Sequence, residues 1–310
     1  MLQSFLLTLY HVFLPISLPV IGGILLKRFK NWDTRSLSTF SLYILSPALI
    51  FDTLLHAEIT WTDVTGTFWF SIINLIALWA LAELLSRIFH LGASEKAGLT
   101  LVSTFTNCVN YGLPLVLLAF GQLGLDKASV YVIGQMIIVN TVGIFFAARS
   151  EFTVKHAILS VFRMPSIYAA VIAIVLRSTS IRLPEALDGG ISMLAAGYSP
   201  VVLAILGAQM LRPRGSAEPW QPNVRRAFWT GLVVRLVAAP VLSYLILTAL
   251  QVEGTLFSVL LILASMPTAV NAVILAEQFN ASPQFVSRCI LWTTAASMVI
   301  LPVMIVMSSG

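Results

Sequence analysis

Charge is what this sequence has least of. Of 310 residues only 10% are Asp, Glu, Lys or Arg, whereas a soluble domain carries roughly 25%. With 58% of the residues hydrophobic, a water-soluble fold of this size has too little interior to hide the apolar surface. Cysteine is nearly absent. Cys108 and Cys289 both lie in apolar segments without partners at metal-ligand spacing, which gives no sign of a disulfide framework or a metal site. The four histidines, His11, His56, His90 and His156, are scattered. There is no His-Glu-x-x-His run and no paired-aspartate constellation, so an intramembrane enzyme has nothing to build on. Ten-residue segments of alternating polarity are missing too, which excludes a membrane β-barrel.

What the chain does have is apolar length. Stretches of about 18 or more residues recur throughout, each able to cross some 30 Å of hydrocarbon as a helix. Windows bounded by charge, Pro and Gly predict ten transmembrane helices, near 5–26, 36–55, 64–89, 96–121, 127–147, 164–181, 189–211, 226–250, 255–279 and 284–307. The first of these follows no basic residue and precedes no small-residue cleavage site, and reads as a retained helix instead of a signal peptide. The longest polar interval, Arg212 to Arg226, holds Pro213, Gly215, Pro219 and Pro222 and reads as a loop. Trp32, Trp61 and Trp220 flank apolar runs as interfacial anchors.

The net charge of +5 belongs to loops and not to a nucleic-acid surface. Lys27, Arg28, Lys30, Arg35, Arg87, Lys96, Arg149, Lys155, Arg163, Arg212, Arg214, Arg225, Arg226 and Arg288 fall after odd-numbered helices, and only Lys127, Arg177 and Arg182 fall after even ones. The positive-inside rule then puts both termini on the extracytoplasmic face of the cell (inner) membrane.

Helices 1–5 laid on helices 6–10 bring Ser46-Pro47 onto Ser199-Pro200 and Val109-Asn110 onto Val270-Asn271. Five helices per half is an odd number, so the halves, 1–155 and 156–310, run in opposite senses. Such inverted repeats are typical of secondary transporters. Helix 4 carries Thr106-Asn-Cys-Val-Asn-Tyr-Gly-Leu-Pro114, in which Pro114 removes a backbone donor and Gly112 frees the chain, and a break is expected there. Helix 9 carries Ser265-Met-Pro-Thr-Ala-Val-Asn271, with Pro267 and Thr268 at the matching depth. Unwound backbone cannot face lipid, so each break lines a cavity or is buried in protein, and each starts a half-helix whose N-terminus favours an anion. Asn107, Asn110 and Asn271 add amides there. The alternative is that Pro and Gly are tolerated kinks without a role.

The sequence resembles the auxin efflux carrier family, plant carriers and bacterial permeases alike, on Asn107-Cys-Val-Asn-Tyr-Gly-Leu-Pro-Leu115, Met266-Pro-Thr-Ala-Val-Asn-Ala-Val-Ile-Leu-Ala-Glu-Gln-Phe-Asn280 and Arg163-Met-Pro-Ser-Ile-Tyr168. The resemblance implies an all-α membrane protein of two inverted five-helix repeats with crossed broken helices 4 and 9, similar to sodium/proton antiporters and bile-acid symporters. It also implies scaffold and transport domains, each assembled from both repeats, in an elevator movement. By the same resemblance Asn107 holds a substrate carboxylate and Gln135 of helix 5 contacts it. The chain lacks the long cytoplasmic loop of many plant carriers and has Asn271 where they carry a second proline. A compact permease for small organic anions, mono- or dicarboxylates or auxin-like acids, is the expected function. No cofactor is expected, and the implied partners are the substrate anion, the lipid bilayer and a second copy in a homodimer.

Four charged residues inside or at the edge of helices are candidates for H+ or Na+ coupling. Arg235 lies about 13 Å into helix 8 and must face protein or water, either to attract an anion or to pair with a carboxylate or with carbonyls freed at a break. Glu83 and Arg87 read first as an intrahelical pair. Asp52 and Glu277 are proton carriers if desolvated, or solvated interface groups. Asn140 reads as a helix-to-helix contact. Besides an anion transporter, the sequence leaves open a sodium-coupled bile-acid-type symporter, while an internal pseudo-repeat argues against a channel.

Overall fold

The computed structural model describes residues 2–30, 32–57, 59–143, 145–146, 164–179, 181–211 and 222–308. Among these residues it is all helix, and the sole β pairing is a single bridge. Seven helices are long and apolar enough to cross a membrane: α1 Leu6–Lys30, α2 Arg35–His56, α3 Trp61–Ile88, α5 Cys108–Gly143, α7 Glu185–Met210, α8 Pro222–Ala249 and α11 Pro283–Met307. Shorter helices stand between them: α4 Ala93–Thr104, α6 Pro165–Ser178, α9 Gly254–Ala264 and α10 Asn271–Gln278. The protein is thus a multi-pass helical membrane protein.

Local sequence explains most boundaries. α3 starts at a capping box, in which Thr60 and Asp63 satisfy each other's backbone N–H groups. α8 starts at Pro222 and not near 226, so Arg225 and Arg226 belong to its first turns; proline suits the first helical turn, where its missing N–H is no loss. Residues 212–221 of the expected loop, the 155/156 boundary between halves and the end of the expected fifth helix lie outside the described residues.

Widened π turns at Leu9–Phe13, Ser41–Leu45, Cys108–Gly112 and Val234–Ala238 precede Pro15, Pro47, Pro114 and Pro240. In each case the carbonyl four residues before the proline lies inside the widened turn. The ring clashes with that carbonyl and offers it no N–H, and the helix bulges instead of breaking.

The expected fourth and fifth helices divide at Gly121, φ 66° and ψ −161°, which is not helical; the next helix begins directly after it, without the loop expected over 122–126. This left-handed angle is open to glycine and strained for other residues.

Packing relies on small residues where lipid supplies no hydrophobic drive between helices. Along α1 and α7, Gly23 approaches Ala204 and Gly207 approaches Val20 so closely that an added Cβ would lie 1.8 Å and 2.0 Å from the facing carbonyl oxygens. Polar bonds tie other helices: Ser46 Oγ to Ser166 Oγ at 3.2 Å between α2 and α6, and Ser243 Oγ donating to Asn74 Oδ1 at 3.1 Å between α8 and α3. A part-buried ion pair joins Lys127 of α5 to Asp63 of α3 at 2.8 Å.

Candidate functional site

α4 ends at Thr104, and Phe105 continues in extended conformation, φ −106° and ψ 123°. The unwound stretch is therefore 105–107, well before Gly112 and Pro114, where the sequence placed it. Pro114 sits in the first turn of the onward α-helical stretch, a position it favours, and so marks where helix resumes. The second interruption falls between Ala264 and Asn271, where the sequence put it.

The two unwound strands meet. Thr106 pairs with Thr268 in an antiparallel bridge, Asn107 N–H donates to Pro267 O at 2.8 Å, and Ala269 N–H donates to Phe105 O at 2.9 Å. Backbone that has left helix finds partners in the other break, as burial away from water demands. Thr268 N–H goes to Thr293 Oγ1 at 3.2 Å, which anchors the second strand to α11.

Arg235 closes the crossing from behind. Its side chain is fully buried, and it donates from Nε to Met266 O at 2.9 Å, from Nη1 to Ser103 O at 2.9 Å and from Nη2 to Ala264 O. These carbonyls belong to the ends of α4 and α9 and the residues after them, where helix leaves unpaired acceptors with partial negative charge. Of the two sequence readings for Arg235, the geometry is that of a guanidinium on carbonyls freed at the breaks. It does not line the cavity described next.

In front of the crossing lies a cavity of about 390 Å³. Thr106, Asn107 and Asn110 reach it from the first break, Asn271 from the second and Gln135 from α5. The first turns of α5 and α10 both open on it through Cys108, Val109, Val270 and Asn271. Asn107 is 4% exposed; its Nδ2 is shut off from solvent and has no hydrogen-bond partner among the described residues. Tyr198 of α7 donates to Asn110 Oδ1 at 3.4 Å, a long bond across the cavity wall. None of the described lining residues is Asp or Glu, and Arg35 stands among them.

Gly112, Pro114, Pro267 and Thr268 do not line this space. Pro267 and Thr268 form the crossing itself. A Cβ at Gly112 would come within 2.7 Å of the Leu263 side chain, so its role in the fold is to let α5 approach α9. Asp52, Glu83 and Glu277 are also elsewhere. Glu83 pairs with Arg87 at 3.1 Å and with Lys96. Glu277 is exposed near the end of α10, without the desolvation that a proton carrier needs. Asp52 sits at the far end of α2 beside His56 and Ser192. Sequence reasoning missed Tyr198, Gln209 and Arg35 as lining residues. Tyr198 precedes the Ser199-Pro200 pair that the repeat comparison had singled out, and that offset was the available signal.

Three larger depressions do not touch either break. One, of about 660 Å³, lies between Leu85, Phe89 and Trp229; another, of about 920 Å³, surrounds Gln251 and Glu253; the third, of about 410 Å³, lies beside Thr60 and Asp63.

Comparison with known proteins adds an independent finding. A family model described as membrane transport protein matches residues 24–305. The chain is 26% identical over 278 residues to an uncharacterized transporter of Methanothermobacter thermautotrophicus, covering 87% of each chain. It is 23% identical over 306 residues to an uncharacterized transporter of Methanocaldococcus jannaschii, covering 94% of this chain and 96% of that one.

Proposed function

The chain belongs to the membrane transport protein family, the auxin-efflux-carrier-like group its motifs resemble, and we propose that within it this member carries small organic anions. It is a transporter and not an enzyme. One observation carries the proposal: a cavity with no carboxylate among its described lining residues receives the N-terminal turns of two half-helices and is lined by Asn107, whose amide nitrogen has no partner among the described residues. Each helix N-terminus brings about half a positive charge and free N–H donors, so a carboxylate of substrate gains where a cation loses. Asn107 Nδ2 has a hydrogen bond to give, and Asn110, Gln135 and Asn271 supply donors and acceptors for the rest of a mono- or dicarboxylate or an auxin-like acid.

The cavity also receives Arg35, Met164 and Gln209, which border the Lys- and Arg-rich loops. The positive-inside rule makes that face cytoplasmic in the cell inner membrane, with both termini outside, and the conformation inward-facing. Ten crossings in two inverted repeats are supported by the turn at Gly121, by the short apolar helices α6 and α9, and by two interruptions that pair antiparallel. α1, α2, α6 and α7 then form the scaffold and carry the homodimer contact, while the bridged breaks move as a unit against it, in an elevator-type cycle. Tyr198 touching Asn110 is the contact that such a movement would exchange.

Arg235 bears on coupling. In sodium-coupled carriers of broken-helix type the cation is held by unwound carbonyls and half-helix C-terminal ends. Here a guanidinium takes the carbonyls of Ser103, Ala264 and Met266, a fixed cation in place of an exchangeable one. That favours sodium-independent transport over the bile-acid-type symporter reading. The test is uptake of labelled mono- and dicarboxylates into proteoliposomes. Substrate-dependent flux that Asn107→Ala abolishes supports the proposal, and wild-type flux in that variant refutes it.

A further inference from the structure

On the opposite face from the cavity mouth, α2 and α7 bring together three groups that the sequence keeps far apart. We propose that Asp52, His56 and Asp188 bind a divalent transition-metal ion of the zinc class. One ligand atom from each lies within 4.8 Å of the others. The sequence showed no ligand spacing, because only the Asp52–His56 pair, one helical turn apart, is local; Asp188 arrives from another helix.

The tautomer of His56 is the first independent pointer. Its Nδ1 lies 2.9 Å from the backbone carbonyl of Asp52. A carbonyl can only accept, so Nδ1 carries a proton, and whenever the ring is neutral Nε2 presents a lone pair. That lone pair faces Asp188 Oδ1 at 3.7 Å. Two acceptors face each other, too far apart for a hydrogen bond. Two ligands sharing a tetrahedral zinc ion at bonds of about 2.0–2.1 Å would stand roughly 3.3 Å apart, so this pair needs a small closure and the full set, spread over 4.8 Å, a larger one. A ring N–H held by a backbone carbonyl is also how metal-bound histidines are oriented.

Asp188 gives the second pointer. Its Oδ1 is shut off from solvent and accepts no hydrogen bond among the described residues. A carboxylate oxygen in that state is costly unless a cation reaches it. Asp52 is already oriented, since Ser192 Oγ donates to its Oδ1 at 2.6 Å. Among the described residues neither carboxylate is paired with Lys or Arg, and a protonated His56 is the competing partner of both. One imidazole nitrogen with two carboxylates suits Zn²⁺, or Co²⁺ as its spectroscopic substitute, better than Ca²⁺ or Mg²⁺. A bound ion would pin the outer ends of α2 and α7, both of which also line the transport cavity.

The experiment is a Co²⁺ titration of the full chain in nanodiscs, read by visible absorption and followed by Zn²⁺ competition. One Co²⁺ per chain with the intense ligand-field bands of a low-coordinate site, displaced by Zn²⁺ and not by Ca²⁺, is the expected result. His56→Gln and Asp188→Asn should weaken binding by about tenfold or more, and Ser192→Ala by less, with size-exclusion profiles unchanged. Absence of the bands in the wild type, or titrations of the first two variants that match it, overturns the proposal. So does a His56 NMR titration indifferent to Zn²⁺, which would mean that a protonated imidazole alone bridges the two carboxylates.

Discussion

Thr106 and Thr268 face each other across an antiparallel backbone bridge, the meeting point of two helices that have each lost their internal hydrogen bonds. With Asn107 and Ala269 donating to Pro267 and Phe105 on either side, the two interruptions form one rigid piece. The side chains that leave this piece toward the cavity are set by both halves of the sequence at once.

Asn107 is the first test of that arrangement. Its Nδ2 has no partner among the described residues, so Asn107→Ala removes a binding group without breaking a bond within them. Flux of the organic anion should fall by tenfold or more, about 1.4 kcal/mol of lost interaction at least, while the apo melting temperature stays close to wild type. Ligand-induced stabilisation in a thermal-shift assay should vanish. A variant that melts early and transports normally would contradict the assignment.

Arg235 should behave in the opposite way. Arg235→Gln leaves at least part of a three-carbonyl set unpaired at a cost of about 1–3 kcal/mol for each orphaned group, so stability in detergent should drop sharply. Arg235→Lys keeps the charge but cannot reproduce the planar fork, and should fall between the two. Melting curves of the purified variants measure this directly.

Sodium dependence follows from the same residue. Wild-type flux should be equal in sodium and in choline media at constant membrane potential. A several-fold stimulation by an inward sodium gradient would show that the carbonyls at the crossing are not the relevant cation site.

Gly207 faces the Val20 carbonyl so closely that a methyl group cannot fit without separating α1 from α7. Gly207→Ala should cost about 1–3 kcal/mol by overpacking, and Gly207→Leu should prevent recovery of folded protein. Gly22, one residue from Gly23, has open space beside it, and Gly22→Ala should be neutral or slightly stabilising. Comparing the three by fluorescence size-exclusion separates packing from helix propensity.

Asp63 and Lys127 make a part-buried pair between α3 and α5. Lys127→Met leaves Asp63 with its bonds from Thr60 and should destabilise by about 1 kcal/mol, and adding Asp63→Asn should recover part of the loss. A double-mutant cycle on unfolding free energy reads the coupling.

Much of the fold was legible because hydropathy reports which stretches sit in lipid. The expected 36–55 and 284–307 coincide with Arg35–His56 and Pro283–Met307 to within a few residues. The first break falls at the start of Thr106–Pro114 and not at its Gly and Pro. Phe105 and Asn107 leave helix where Ala269 and Pro267 offer them partners far along the chain. No local pattern carries that information. Asn107, Asn110, Gln135 and Asn271 were readable as polar groups in apolar helices, and the structure brings all four to one cavity. The partners of Arg235 were not readable individually, since backbone carbonyls have no sequence signature. The His56 cluster was invisible for a related reason: two of its members are local and the third depends on how α2 lies against α7.

The guanidinium at the crossing fixes one positive charge about halfway along α8. In the proposed cycle a monoanion bound in front of it leaves the loaded moving body near electroneutral, whereas the empty body carries the charge alone. An electric field worth about 2.3 kcal/mol per unit charge per 100 mV would then act mainly on the unladen return stroke. Cell voltage would set how fast the carrier resets, and a dicarboxylate would shift that dependence onto the laden stroke.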